Sequence, residues 1–89
     1  MRAIVTVIGK DRVGIIADVC SVLAARGVNV LDISQTVLKE YFTMIMLVDT
    51  AACAAPFSEL ADDMKQTGAA KALDIRIQRE DIFNAMHKI

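Results

Sequence analysis

The spacing of apolar residues along this chain switches between the two-residue period of a strand and the three-to-four-residue period of a helix. It does so in one order: strand, helix, strand, strand, helix, strand. Few folds accommodate that order. Ala3 to Ile8 is apolar and β-branched, ends at Gly9, and predicts a central strand with both faces at least partly covered. From Val13 to Arg26, Ile16, Val19, Cys20 and Leu23, flanked by Ile15 and Val22, recur at helical spacing while Asp18, Ser21 and Arg26 fall elsewhere, which predicts an amphipathic helix. Gly27 follows as a left-handed stop, and Arg26 suits the negative end of the helix dipole.

Val28 to Leu38 alternates, with Leu31, Ile33 and Val37 on one side and Asp32, Ser34 and Thr36 on the other, so a second strand is predicted with one polar face. The polar pair Lys39-Glu40 precedes the β-rich run Tyr41 to Thr50, implying a tight hairpin to an antiparallel third strand, although neither residue readily takes positive φ. Met44 to Val48 is continuously apolar and predicts a central strand with little water on either face. Small residues from Ala51 to Ala55 lead to Pro56, a favoured first helical residue, and Phe57, Leu60, Ala61, Met64 and Thr67 trace one stripe of a second helix. Gly68 weakens that helix if it lies inside, so its end is expected between Gly68 and Ala72. Leu73, Ile75 and Ile77 then alternate with Asp74, Arg76 and Gln78 as a half-buried edge strand. Asp81 can cap a short last helix over 80–89, in which Ile82, Phe83, Met86 and Ile89 share an apolar face.

The fold class expected is therefore α+β: a ferredoxin-like βαββαβ sandwich with a four-stranded antiparallel sheet, two helices on one face and a short C-terminal helix. Residues 1–89 make one domain, with 80–89 as its helical extension; a chain this short has no room for two cores. At 55% hydrophobic and a mean hydropathy of +0.45 the chain buries a core and is not disordered.

Fold does not name function, so the special residues decide. A formal charge of -1 holds no phosphate backbone or anionic membrane, and 4% aromatics supply few stacking platforms, which argues against nucleic acid. No apolar run approaches the ~18 residues a membrane span needs, and the first segment is too short for a signal-peptide core, so a cytoplasmic protein is expected. Cys20 and Cys53 form no CxxC and have a single His87 for company, so no metal site or disulfide framework is indicated. Cys20 reads as a small buried hydrophobe, and Cys53 has no assigned role. No nucleophile with a base at readable spacing stands out, so no catalytic residue and no cofactor is expected. An acylphosphatase-like hydrolase would need an arginine and an asparagine, which Arg12 and Asn29 loosely supply without support from charge or loop spelling.

The loop before the first helix suits a small zwitterion better. Backbone amides around Val13 to Ile16 face the positive end of the helix dipole, and Gly14 clears the approach for a carboxylate. Asp11 can hold an ammonium group, and Asn29, just past Gly27, offers a donor and an acceptor. Asp11 serves equally as a helix cap, Asn29 as a turn residue, and Lys10 and Arg12 as solvated side chains.

These residues carry a resemblance. Gly9-Lys10-Asp11-Arg12-Val13-Gly14-Ile15 followed by Gly27-Val28-Asn29-Val30 resembles the ACT domain, the amino-acid-sensing module of metabolic enzymes and regulators. That family pairs an Asp-Arg-Pro-Gly or Asn-Arg-Pro-Gly loop with Gly-x-Asn at the second strand, and Asp11, Arg12, Gly14, Gly27 and Asn29 match. Residues 32–36, 41–46 and 78–87 are similar to small stand-alone ACT proteins of about this length, and the chain is also similar to glycine-cleavage regulators with ACT repeats. Val13 replaces the usual proline, and Gly9 stands where serine-sensing members carry a histidine, so the ligand's identity does not transfer.

The resemblance implies a non-catalytic regulatory domain that binds a small amino acid through Asp11, Arg12, Val13, Gly14, Ile15 and Asn29 at a homodimer boundary near the first helix and second strand. An exposed edge of the second strand and the apolar tail Ile82, Phe83, Met86 and Ile89 also argue for a dimer. From another class, the chain reads as an interaction module that binds a metabolic enzyme or regulator and never contacts a metabolite.

Overall fold

The computed structural model describes residues 1–10 and 13–86, without the side chains of Phe83, Ala85 and Met86. The elements are β1 (Arg2–Lys10), α1 (Ile15–Ala25), β2 (Asn29–Leu38), β3 (Tyr41–Asp49), α2 (Phe57–Lys71), β4 (Asp74–Arg79) and α3 (Glu80–Met86). The strands form one antiparallel sheet in the order β2-β3-β1-β4, so β1 and β3 are central and β2 and β4 are edges. This is the βαββαβ arrangement that the periodicity predicts.

Cross-strand pairing assigns the faces. Val5 lies opposite Met46 and Ile77, and Val7 opposite Met44 and Ile75. This row of side chains meets Ile15, Val19 and Leu23 of α1 and Leu60 and Met64 of α2, and together they form the buried core. Buried positions recur every four residues along each helix, as an apolar stripe on a 3.6-residue turn requires. The helices run antiparallel, and two ion pairs span them: Arg26 Nη1 lies 2.7 Å from Asp63 Oδ2, and Lys71 Nζ lies 3.9 Å from Asp18 Oδ2.

The opposite face of the sheet has no helix over it. Here the structure corrects the expectation that β1 and β3 are shielded on both faces. Ile8 and Ile45 are 45% and 43% exposed, because both helices sit on the other side. A continuous apolar run therefore marks these strands as central without marking both faces as dry.

α1 ends as predicted. Gly27 takes φ 75, its amide donates to Ala24 O, and the Val28 amide donates to Leu23 O, the paired closure of a Schellman motif. The β2–β3 hairpin closes over Lys39 and Glu40, and Lys39 adopts φ 55, the left-handed conformation its side chain disfavours. In the last helix, Asp81 lies inside rather than before the first turn: Oδ1 accepts from the Ile82 amide and Oδ2 pairs with Arg79. It is therefore not the N-terminal cap expected of it. Ile82 is 46% exposed; the side chains of Phe83 and Met86, and residues His87 and Ile89, lie outside the described residues.

α2 runs through Gly68 to Lys71, and the glycine has a packing reason. A Cβ at Gly68 would sit 2.6 Å from Leu73 O and 3.2 Å from Ile75 N, so only glycine lets the helix approach β4 this closely. The Leu73 amide donates to Gly68 O at 2.8 Å, which locks that approach, and Ala72 takes φ 58 and ψ 39 to make the turn.

Two substitutions test this corner in opposite directions. Gly68→Ala gains up to about 1 kcal/mol of helix propensity but overpacks a backbone contact at a cost of about 1–3 kcal/mol. The net expectation in urea denaturation is a loss of stability. Ala72→Gly relieves a left-handed alanine and is expected to gain roughly 0.5–1 kcal/mol in the same assay.

Candidate functional site

The β1–α1 connection delivers Gly14 to the start of α1. Gly14 takes φ 91, where a side chain is strained although nothing lies within 4 Å of a Cβ built there. The first intrahelical bond is donated by Asp18 to Gly14 O, so the amides of Ile15, Ile16 and Ala17 precede it and lie at the positive end of the dipole. Among the described residues no side-chain cap is seen at this helix start.

Against that first turn lies a cavity of about 290 Å³ lined by Gly14, Ile15, Ile16, Ala17, Gln35, Val37 and Phe42. Three elements meet there. Val37 lies opposite Phe42, which lies opposite Gly9, so all three occupy one row on the helix side of the sheet. Gly9 contributes no side chain, and a Cβ there would meet Leu73 Cδ2 at 2.5 Å; the space belongs to Leu73.

Of the residues singled out from sequence, Gly14 and Ile15 line the cavity. Val13 is 98% exposed beside it. Asp11 and Arg12 lie outside the described residues. Asn29 is elsewhere: it opens β2 opposite Asp49, whereas Val37 and the cavity lie at the far end of the same strand. Eight residues of strand span roughly 25 Å. Within one chain Asn29 and the α1 amides therefore share no hollow. Gln35, Val37 and Phe42 were not singled out; the signal available was their place on the helix-facing side of β2 and β3 beside the start of α1.

The edge of the site is open. β2 is an outer strand, and among its helix-side residues Ile33 and Val37 remain 39% and 53% exposed, with Leu31 at a β-bulge 46% exposed. α1 covers the central strands and leaves this apolar edge bare. No group of three or more metal-ligating side chains occurs among the described residues, and no helix described is long and apolar enough to cross a membrane. Cys20 and Cys53 are free thiols packed in part against the core, and Cys53 Sγ donates to Ala55 O at 3.7 Å.

Comparison with known proteins gives a consistent picture. The ACT domain family model matches residues 2–78. A UPF0237 protein of Clostridium acetobutylicum is 49% identical over 89 residues, covering all of both chains, and one from Neisseria meningitidis serogroup A is 49% identical over 88. Among solved structures, an ACT domain protein from Streptococcus pneumoniae is 44% identical with a TM-score of 0.83, over 98% of each chain. A protein assigned as a glycine cleavage system transcriptional repressor shares the fold at TM-score 0.73 and 22% identity, over 86% of this chain and 44% of that one. A formyltetrahydrofolate deformylase from Pseudomonas syringae does so at 0.78 and 21%, over 88% and 27%.

At the Asn29 end, the Ala51 amide donates to Asp49 Oδ1 at 2.9 Å and holds that carboxyl below its ordinary titration range. A lowered folded-state value means the stabilisation is complete above the unfolded-state value and is lost as pH falls through the folded-state value. Asp49→Asn is expected to flatten the acid limb of a stability-against-pH curve below about pH 4, with little change in shape near neutrality, as read by denaturation at a series of pH values.

Proposed function

The chain belongs to the ACT domain family, and from that membership we propose that residues 1–89 act as one non-catalytic regulatory domain that binds a small amino acid at a homodimer boundary. The observation that carries this reading is the cavity between the first-turn amides of α1 and the half-exposed edge of β2. A carboxylate is stabilised at such a helix start, and Asp11 supplies the charge to hold an ammonium.

The second copy supplies what one chain lacks. A two-fold axis at the middle of β2 pairs that strand with itself in antiparallel fashion and reverses its direction. The end bearing the partner's Asn29 then comes beside Val37 and the cavity. Pairing also covers Leu31, Ile33 and Val37 and satisfies the open backbone edge. The separation of Asn29 from the α1 amides in one chain is in this way a reason for the dimer. Ligand held by both copies stabilises their association, and any protein that prefers one dimer geometry responds to the ligand. Two free thiols suit a reducing, cytoplasmic setting.

Thermal unfolding against the twenty amino acids tests the reading. A specific ligand at ~100 times its Kd adds roughly 2.7 kcal/mol, a rise of roughly 10 °C or more in Tm for a domain of this size. Asp11→Ala and Asn29→Ala are expected to abolish the rise. A flat response from the unaltered chain would favour an interaction module that touches only a metabolic enzyme or regulator.

The boundary has its own test. Ile33→Lys places a charge on the paired edge and is expected to halve the mass measured by light scattering and to remove the ligand response. A dimer that survives it would put the boundary on another surface.

A further inference from the structure

The outer edge of β4 is the other open margin of the sheet, and its charges carry a pattern. Asp74 and Arg76 stand two residues apart on the helix-free face, 53% and 76% exposed, with Arg76 Nε 3.4 Å from Asp74 Oδ1. On the helix side α2 flanks the same edge, and a groove of about 450 Å³ runs between them, bounded on α2 by Ala61, Asp62 and Lys65. Asp62 and Lys65 are exposed as well. Acid precedes base on both elements, and the charges balance.

Charges on an edge strand block pairing when they meet their like on an incoming strand. In one register these charges meet their opposites instead. Pairing β4 with an antiparallel copy about a two-fold at Ile75 sets Asp74 opposite the partner's Arg76, and Arg76 opposite the partner's Asp74. A slip of two residues sets Asp74 against itself in one direction and Arg76 against itself in the other. A slip of one residue turns Ile75 onto the wrong face of the joined sheet. The same two-fold reverses α2 on its copy and brings Asp62 toward the partner's Lys65, with only the methyl of Ala61 beside them.

We infer that the β4 edge is a docking surface for a second copy of this chain, paired antiparallel about Ile75. It is separate from the β2 boundary and needs no ligand. Exposed ion pairs on a short strand each contribute little, so this contact is the weaker of the two and forms at higher protein concentration. Added salt weakens it further.

Sedimentation equilibrium of the full chain carrying Ile33→Lys, which blocks the β2 edge, isolates this contact. At low salt the mass is expected to double between dilute and millimolar protein. Arg76→Asp turns both cross-strand pairs into repulsions and is expected to weaken that doubling about tenfold or more, as is Asp74→Arg, while the two together restore it. Lys65→Glu, on the other element, is expected to weaken it about threefold or more. No doubling at millimolar protein overturns the inference. So does a doubling that the single reversals leave unchanged, or one that the double reversal fails to restore, in variants whose melting curves show them folded. Should the strand variants not fold, Lys65→Glu decides. Failure of the β2 reading looks different: the dilute chain with Ile33→Lys then keeps the mass of a dimer, and the charge reversals still decide the step above it.

Discussion

Exclusion of water from one face of the sheet governs the rest of this molecule. Val5, Val7, Met44, Met46 and Val48 supply that face, and Ile15, Val19, Leu23, Leu60 and Met64 close it from above. Two helices cover the central strands and do not reach across β2. The tight seat of α2 on β4 is set by Gly68, where a Cβ would meet the backbone of Leu73 and Ile75. The bare apolar edge at Ile33 and Val37 lies on the other side, next to the first turn of α1. A layer of two helices over four strands thus leaves an uncovered margin beside the helix start.

Much of this was legible in the residues, because period and punctuation are local. The alternation of Ile75 and Ile77 with polar neighbours, the four-residue recurrence in α1 and the stop at Gly27 each depend on a few adjacent positions, and the structure places them as read. Three features were not legible, each because a distant partner sets it. The run Met44 to Val48 looks the same whether one face or two are covered, and only the helices' common side exposes Ile45. Gly68 resembles a helix terminator until the backbone of Leu73 is seen against it. Lys39 in a left-handed turn is dictated by the register of β2 on β3 rather than by its own preference.

Asn29 shows the same limit within the site. It follows the helix stop closely in sequence, which invites grouping it with the residues before the helix. Yet the eleven residues of α1 carry the chain about 16 Å back along the sheet at 1.5 Å per residue, and β2 then returns the full distance. A motif divided by a helix therefore occupies opposite ends of its own domain. In the proposed dimer such halves would meet through a symmetry operation that reverses direction, an antiparallel two-fold on an edge strand. The proposed dimer is what would bring the pattern around Gly14 and the pattern around Asn29 together.

That geometry has a thermodynamic consequence. A ligand with its head group on one copy and a contact on the other binds the dimer better than the monomer, and linkage then requires the ligand to tighten the dimer by the same factor. In the proposed dimer, occupancy and association would become one equilibrium, and the response would depend on the protein's own concentration as well as on the ligand's. Val37 lines the cavity and belongs to the exposed edge of β2. In the proposed dimer a ligand in the cavity would press on a residue that the second copy also covers, which gives a direct physical route from occupancy to dimer strength.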